Sequence, residues 1–98
     1  MSLPVILRDD AEAEIVATFA ALEPVRKGLG KKFLAQVREV LERIENFPEM
    51  YGIVWRDVRA ARLKKFRHVV YYVAFSDRVE VLAVLHGARN APTWQSRR

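Results

Sequence analysis

The side chains best equipped for chemistry stand at the end of an apolar run. The segment "VLAVLHGARNAPTWQSRR", residues 81–98, passes from a buried-looking stretch into His86, Gly87 and Arg89, then into Trp94, Arg97 and Arg98. An imidazole has an ordinary pKa suited to proton transfer near neutrality. Arg59, Arg62 and Arg67 lie on the preceding segment. A guanidinium is always protonated, so it can position an anion but makes a poor base. The set can therefore hold a phosphate and move one proton. Each residue also has a plainer reading. His86 can bond a backbone carbonyl at a strand end, and Arg89 can meet a carboxylate or the C-terminus. Arg59, Arg62 and Arg67 can be solvated or face a partner. Trp94 can anchor the tail over the core edge. Trp55, read as a loop tryptophan beside Arg56 and Arg59, is of a type enriched at interface hot spots.

The elements that must carry these residues follow from pattern. "LPVILR" is a short apolar strand that Pro4 confines to a sheet edge or a strand start. "DDAE" follows, with Asp9 as the expected helix N-cap. Ala11, Ile15, Phe19 and Leu22 recur at helical spacing, and Pro24 ends that helix near Glu23. After "VRKGLG", Phe33, Val37, Val40, Leu41 and Ile44 form one apolar stripe, and Pro48 lies beyond its end. Two helices with a short connection predict an antiparallel helical hairpin.

Beyond "YGIVW" the period changes. "DVRAARL" (57–63) can be extended, and "FRHVVYYVAF" (66–75) is rich in β-branched and aromatic residues. "SDR" is a turn, and "VEVLAVLH" (79–86) is another strand. The last two runs have apolar residues at both parities, which predicts central strands covered on both faces. Tyr71 and Tyr72 then point to opposite faces, one to the core and one to a surface groove. The expected order is β-α-α-β-β-β: an α+β fold with the helical hairpin packed on a mostly antiparallel four-stranded sheet.

Composition sets the outer limits. A chain of 98 residues with 51% apolar and 30% charged residues is expected to form one soluble domain, 1–98, with 90–98 as a short tail. It has no cysteine, so it can form neither a disulfide nor a thiolate metal site, and the lack fits a reducing cytoplasm. No targeting segment and no run of ~20 apolar residues is present, so no membrane role is expected. The charge is uneven. Residues 1–50 carry seven Lys/Arg and nine Asp/Glu, a balance of −2, whereas residues 51–98 carry ten and three, a balance of +7. That excess favours an anionic partner, either nucleic acid or an acidic protein segment.

Four stretches taken in order resemble the ParE/RelE superfamily of bacterial toxins. They are "LRDDAEAEI", "GLGKKFLAQVREVLERIENFPEMYG", "VRAARLKKFRHVVYYV" and "VLHGARNAPTW", and they cover nearly the whole chain. The resemblance implies the toxin of a type II toxin–antitoxin pair, a growth-arresting and plasmid-stabilising module. Its partner would be a small acidic antitoxin, with no cofactor and no metal. ParE-like members act on DNA gyrase, and RelE-like members cut messenger RNA on the ribosome without a metal. Fold does not separate the two branches.

Metal-free RNA cleavage needs a base, an acid and cations that stabilise charge on phosphate. His86, Arg89, Arg62 and Arg67 are the candidates for that reading. Trp94 stands where the RNA-cleaving branch often has a tyrosine or other titratable group, and an indole N–H is no general acid. The ParE-like reading is therefore preferred: a gyrase inhibitor that acts by binding. Its expected target- or antitoxin-binding residues are Trp55, Arg56, Arg59, Arg89, Trp94, Arg97 and Arg98. The alternatives are a RelE-like ribonuclease whose partners are the ribosome and mRNA, and a non-toxic domain of the same fold that only binds protein.

Overall fold

A computed structural model describes residues 2–87 and 91–98. Arg89 lies outside the described residues, so its expected role has no structural counterpart here. The elements run β1 (Val5–Leu7), α1 (Asp9–Leu22), α2 (Leu29–Asn46), β2 (Ile53–Trp55), β3 (Val58–Arg62), β4 (His68–Ala74), β5 (Val79–His86) and α3 (Ala91–Gln95). The α+β reading holds, with one correction: the sheet has five strands, ordered β1-β5-β4-β3-β2, rather than four. The added strand is β2, where the sequence pattern predicts a loop. Three residues are too few to show alternation, and β2 exists only because it pairs with β3 across a tight hairpin, Trp55 opposite Val58. Arg56 at the tip takes φ 52°, the left-handed turn that such hairpins require.

Strand β1 pairs parallel with β5, and every other neighbour is antiparallel. Pro4 sits just outside β1 at the sheet edge, where its missing N–H costs nothing. Its carbonyl accepts from the Val79 N–H at 2.8 Å.

Both faces of the central strands are covered. On one face Phe33, Val37, Val40 and Ile44 of α2, with Ala11 and Ile15 of α1, close over Val70, Tyr72, Val79, Val81 and Val84. On the other, Val69, Tyr71, Val73, Leu82 and Ala83 pack with Trp94 of α3. Tyr71 is therefore buried as well as Tyr72, contrary to the groove expected for one of them. The reason is that the tail folds back across the sheet. A bulge keeps the two faces in step. Tyr71 faces Ala83 but Tyr72 faces Val81, which leaves Leu82 as an extra residue in β5.

The helical hairpin is set by its glycines. Gly28 has φ 86°, and Gly30 is buried where a Cβ would come within 2.7 Å of the Phe19 ring and 2.9 Å of Glu23. Glu23 accepts the Lys31 N–H at 3.2 Å and the Gly28 N–H at 3.3 Å, satisfying donors at the start of α2. At α1 the N-cap position belongs to Arg8, one residue before the expected Asp9, and no side chain caps it. Asp9, Asp10 and Glu12 fill the first turn and favour the helix through its dipole.

The close approach at Gly30 yields a prediction. Overpacking costs ~1–3 kcal/mol, which outweighs the ~1 kcal/mol that alanine gains over glycine in a helix. Gly30→Ala should lower the urea midpoint, while Gly52→Ala, at a position with nothing within 4 Å, should leave it unchanged.

Candidate functional site

The β4–β5 register puts His68 opposite His86, with ring centroids 5.6 Å apart and the planes at 73°. The Leu82 bulge decides this pairing. Counting back from Ala74 opposite Val79 without an extra residue would set His68 against Leu85. His68 also lies edge-on to Phe33, 5.1 Å between centroids, and its Nδ1 is buried without a hydrogen-bond partner among the described residues. Burial, helped by the neighbouring His86, holds the His68 pKa below the usual histidine value. His68 was not among the residues singled out from sequence, because its meeting with His86 depends on the bulge.

Two open depressions flank the pair. One, of about 390 Å³, is lined by Arg62, Phe66, Arg67, His68, His86 and Gly87. The other, of about 370 Å³, reaches Glu14, Thr18 and Thr93. The structure thus brings Arg62, Arg67 and His86 to one end of the sheet. Gly87 allows the crowding there, since its N–H donates to the Arg67 carbonyl at 2.6 Å and a Cβ would sit 3.1 Å from that oxygen.

At the opposite end of β3 lies the hairpin tip. Trp55 is half-buried in β2, not in a loop, and meets Trp94 edge-on at 6.0 Å. The exposed Arg56 lays its guanidinium 4.3 Å from the centre of the Trp55 ring. Asp57 takes two hydrogen bonds from Arg98, at 2.7 and 2.6 Å, which hold its carboxyl below the usual range. Trp94 is 6% exposed and stacks on Tyr71, centroids 4.4 Å apart and planes at 12°.

Two of the remaining arginines hold backbone rather than solvent. Arg59 donates to the carbonyls of Tyr51 at 2.7 Å and Glu49 at 3.2 Å. Arg97 binds Glu14 at 2.9 Å and the Leu82 carbonyl at 3.1 Å, while Glu14 accepts the Val84 N–H at 3.0 Å. That arrangement closes the edge of β5 where β1 has ended. Phe47, Met50, Ile53 and Val54, in and just after the connection that follows α2, are each more than half exposed. Apolar residues in a short connection carry no period that would have flagged them.

A model of the family described as the ParE toxin of type II toxin–antitoxin systems, parDE, matches residues 5–91. The chain belongs to this ParE toxin family. A solved structure described as the chromosomal ParDE toxin–antitoxin system from P. aeruginosa superposes with a TM-score of 0.76, covering 87% of this chain and 96% of the other at 10% identity. At that identity the likeness concerns the fold. No curated protein matches the chain significantly. Among the described residues of this ParE-family chain, no group of three or more His, Cys, Asp and Glu side chains could hold a metal. No helix among them is long and apolar enough to cross a membrane.

In this ParE-family chain the tyrosines near the sheet centre are poor acids at neutral pH. Burial raises the Tyr71 pKa, and it pushes Tyr72 up to about 12, with the Tyr72 hydroxyl donating to the Pro48 carbonyl at 2.8 Å. The histidine end predicts a pH effect. Because the folded pKa of His68 is lowered, the unfolded chain binds the extra proton first as pH falls. Stability should be full above the ordinary histidine pKa of ~6.5 and be lost as pH drops from there toward the lowered folded-state value. Urea midpoints across that window should fall with acid, and His68→Phe should flatten the slope.

Proposed function

We propose that this chain is the toxin of a type II module that arrests growth by binding DNA gyrase in the cytoplasm, and that a small acidic antitoxin neutralises it. The observation that carries the reading is the family match over residues 5–91. The surface supports it physically. The half-buried Trp55 and the exposed Arg56 form an aromatic–arginine pair at the hairpin tip, and Phe47, Met50, Ile53 and Val54 are exposed apolar residues on the connection and strand that lead to it. Tryptophan and arginine anchors surrounded by apolar contacts are the usual make-up of a binding hot spot. Arg59, Trp94, Arg97 and Arg98 serve that surface from behind by fixing the 47–52 connection and the tail. Arg89 is assigned to the same role from its place in the sequence.

The test is a reconstituted supercoiling reaction. The chain in micromolar excess should inhibit gyrase, and Arg56→Ala should weaken inhibition at least about 30-fold, the equivalent of ~2 kcal/mol at a hot spot. Supercoiling untouched by the wild-type chain would overturn the reading. The antitoxin half is tested by co-purification with a neighbouring acidic gene product, whose affinity should weaken only partly with salt.

A second reading, RelE-like cleavage of mRNA, draws on one observation: His68 and His86 share a depression with Arg62 and Arg67. Two imidazoles can supply a base and an acid. This reading requires codon-linked cuts in a translated message that disappear in His86→Ala, and an intact message rules it out.

A further inference from the structure

Two stretches of the chain carry positive charge without any acid. Between Glu23 and Glu39 there are five cations and no carboxylate, and between Asp57 and Asp77 there are again five and none. The fold joins them. The Lys65 N–H of the β3–β4 turn donates to Gln36 Oε1 of α2 at 3.1 Å, and Phe66 packs edge-on against Phe33 at 5.5 Å. Arg26, Lys32 and Lys65 then line one depression of about 470 Å³, and Arg62, Lys64 and Lys65 reach an adjoining one of about 200 Å³.

Positive charge is in excess in this region: its two carboxylates are Glu39, paired with Arg43, and Glu23, which accepts the Gly28 and Lys31 backbone N–H groups. Arg26, Lys27, Lys31 and Lys32 on the helix side are all exposed. So are Arg62, Lys64, Lys65 and Arg67 on the sheet side. Arg43, which lines the smaller depression, pairs with Glu39, and elsewhere Arg8, Arg78, Arg97 and Arg98 each form an ion pair with a carboxylate. None of the eight exposed cations does so among the described residues. Like charges gathered this closely repel one another, and an anionic ligand relieves the repulsion.

We propose that this basic end, built from the α1–α2 connection and the β3–β4 turn, docks on the phosphate backbone of duplex DNA. Three features select that occupant. Lysine is depleted in protein–protein interfaces, yet it supplies five of the eight cations, whereas phosphate backbones take Lys and Arg alike. Single-stranded nucleic acid is gripped by exposed aromatic rings on which bases stack. Here Phe66 is half-buried against Phe33, and Tyr71 and Tyr72 are buried. The choice of DNA over duplex RNA rests on the gyrase reading above, because that enzyme holds duplex DNA. The surface lies at the other end of β3 from the Trp55–Arg56 tip, so one molecule can touch protein and DNA together.

The experiment is fluorescence anisotropy of a short labelled random-sequence DNA duplex with the full chain. Binding should be sequence-independent, with Kd near 10⁻⁴–10⁻⁶ M, and should weaken steeply between about 50 and 200 mM salt. The Lys31→Glu, Lys32→Glu, Lys65→Glu variant should lose at least about tenfold in affinity. The matching glutamine variant, in case charge reversal impairs folding, should flatten the plot of log affinity against log salt by about 0.9 for each lost contact. No binding at low salt, or equal binding by both variants and wild type, overturns the proposal. Equal affinity for poly-glutamate also overturns it and marks the surface as one for an acidic protein. A parallel gyrase assay separates the two claims. DNA binding without gyrase inhibition removes the gyrase reading, and inhibition without DNA binding removes this one.

Discussion

Strands β4 and β5 are apolar on both faces, and the rest of the molecule is arranged around that constraint. Leaving either face in water would expose Val, Leu and Tyr side chains each worth roughly 1.5–3 kcal/mol on burial. One face receives the helical hairpin, with Phe33 and Ile44 fully buried against it. The other receives Trp94, flat on Tyr71. A residue that resembles part of a reactive corner when read along the chain is thus required as a lid for the sheet.

Covering the second face with the tail imposes a further demand. Strand β1 pairs only as far as Val81, so β5 continues with an open edge. Glu14 and Arg97 supply the missing acceptor and donor there, Glu14 accepting the Val84 N–H and Arg97 donating to the Leu82 carbonyl while the two pair with each other. Because the pair sits largely out of water, each partner needs the other. Arg97 is thereby drawn from the surface into the frame, and the Arg8 guanidinium, bound to the Arg97 carbonyl and to Glu80, ties the tail to the start of α1.

The two ends of the sheet differ in chemistry as a result. Near the hairpin tip, arginines are matched by carboxylates, rings or carbonyls, leaving an apolar surface with one exposed guanidinium over Trp55. At the far end exposed cations outnumber the carboxylates, Glu39 being paired with Arg43 and Glu23 with backbone N–H groups, and two histidines meet edge-on. A division of this kind suits a protein that acts by contact with large partners, since each end offers a different type of interaction.

Much of this was legible in the sequence. The stripe from Phe33 to Ile44, the β5 run and the order of helices and strands all follow from period, because burial of one helix face or both strand faces writes itself into residue spacing. The glycines around α2, the ordered stretches resembling the toxin superfamily and the charge imbalance between the halves were equally plain. Tertiary structure alone decided what depends on register and on contacts distant in sequence. Strand β2 exists through β3. Leu82 bulges and thereby sets His68 against His86. Trp94 turns inward, and Arg97 and Arg98 are consumed by Glu14 and Asp57. A side chain's type is local, whereas whether it is free to meet a partner depends on which carboxylate, carbonyl or ring the fold has already placed beside it.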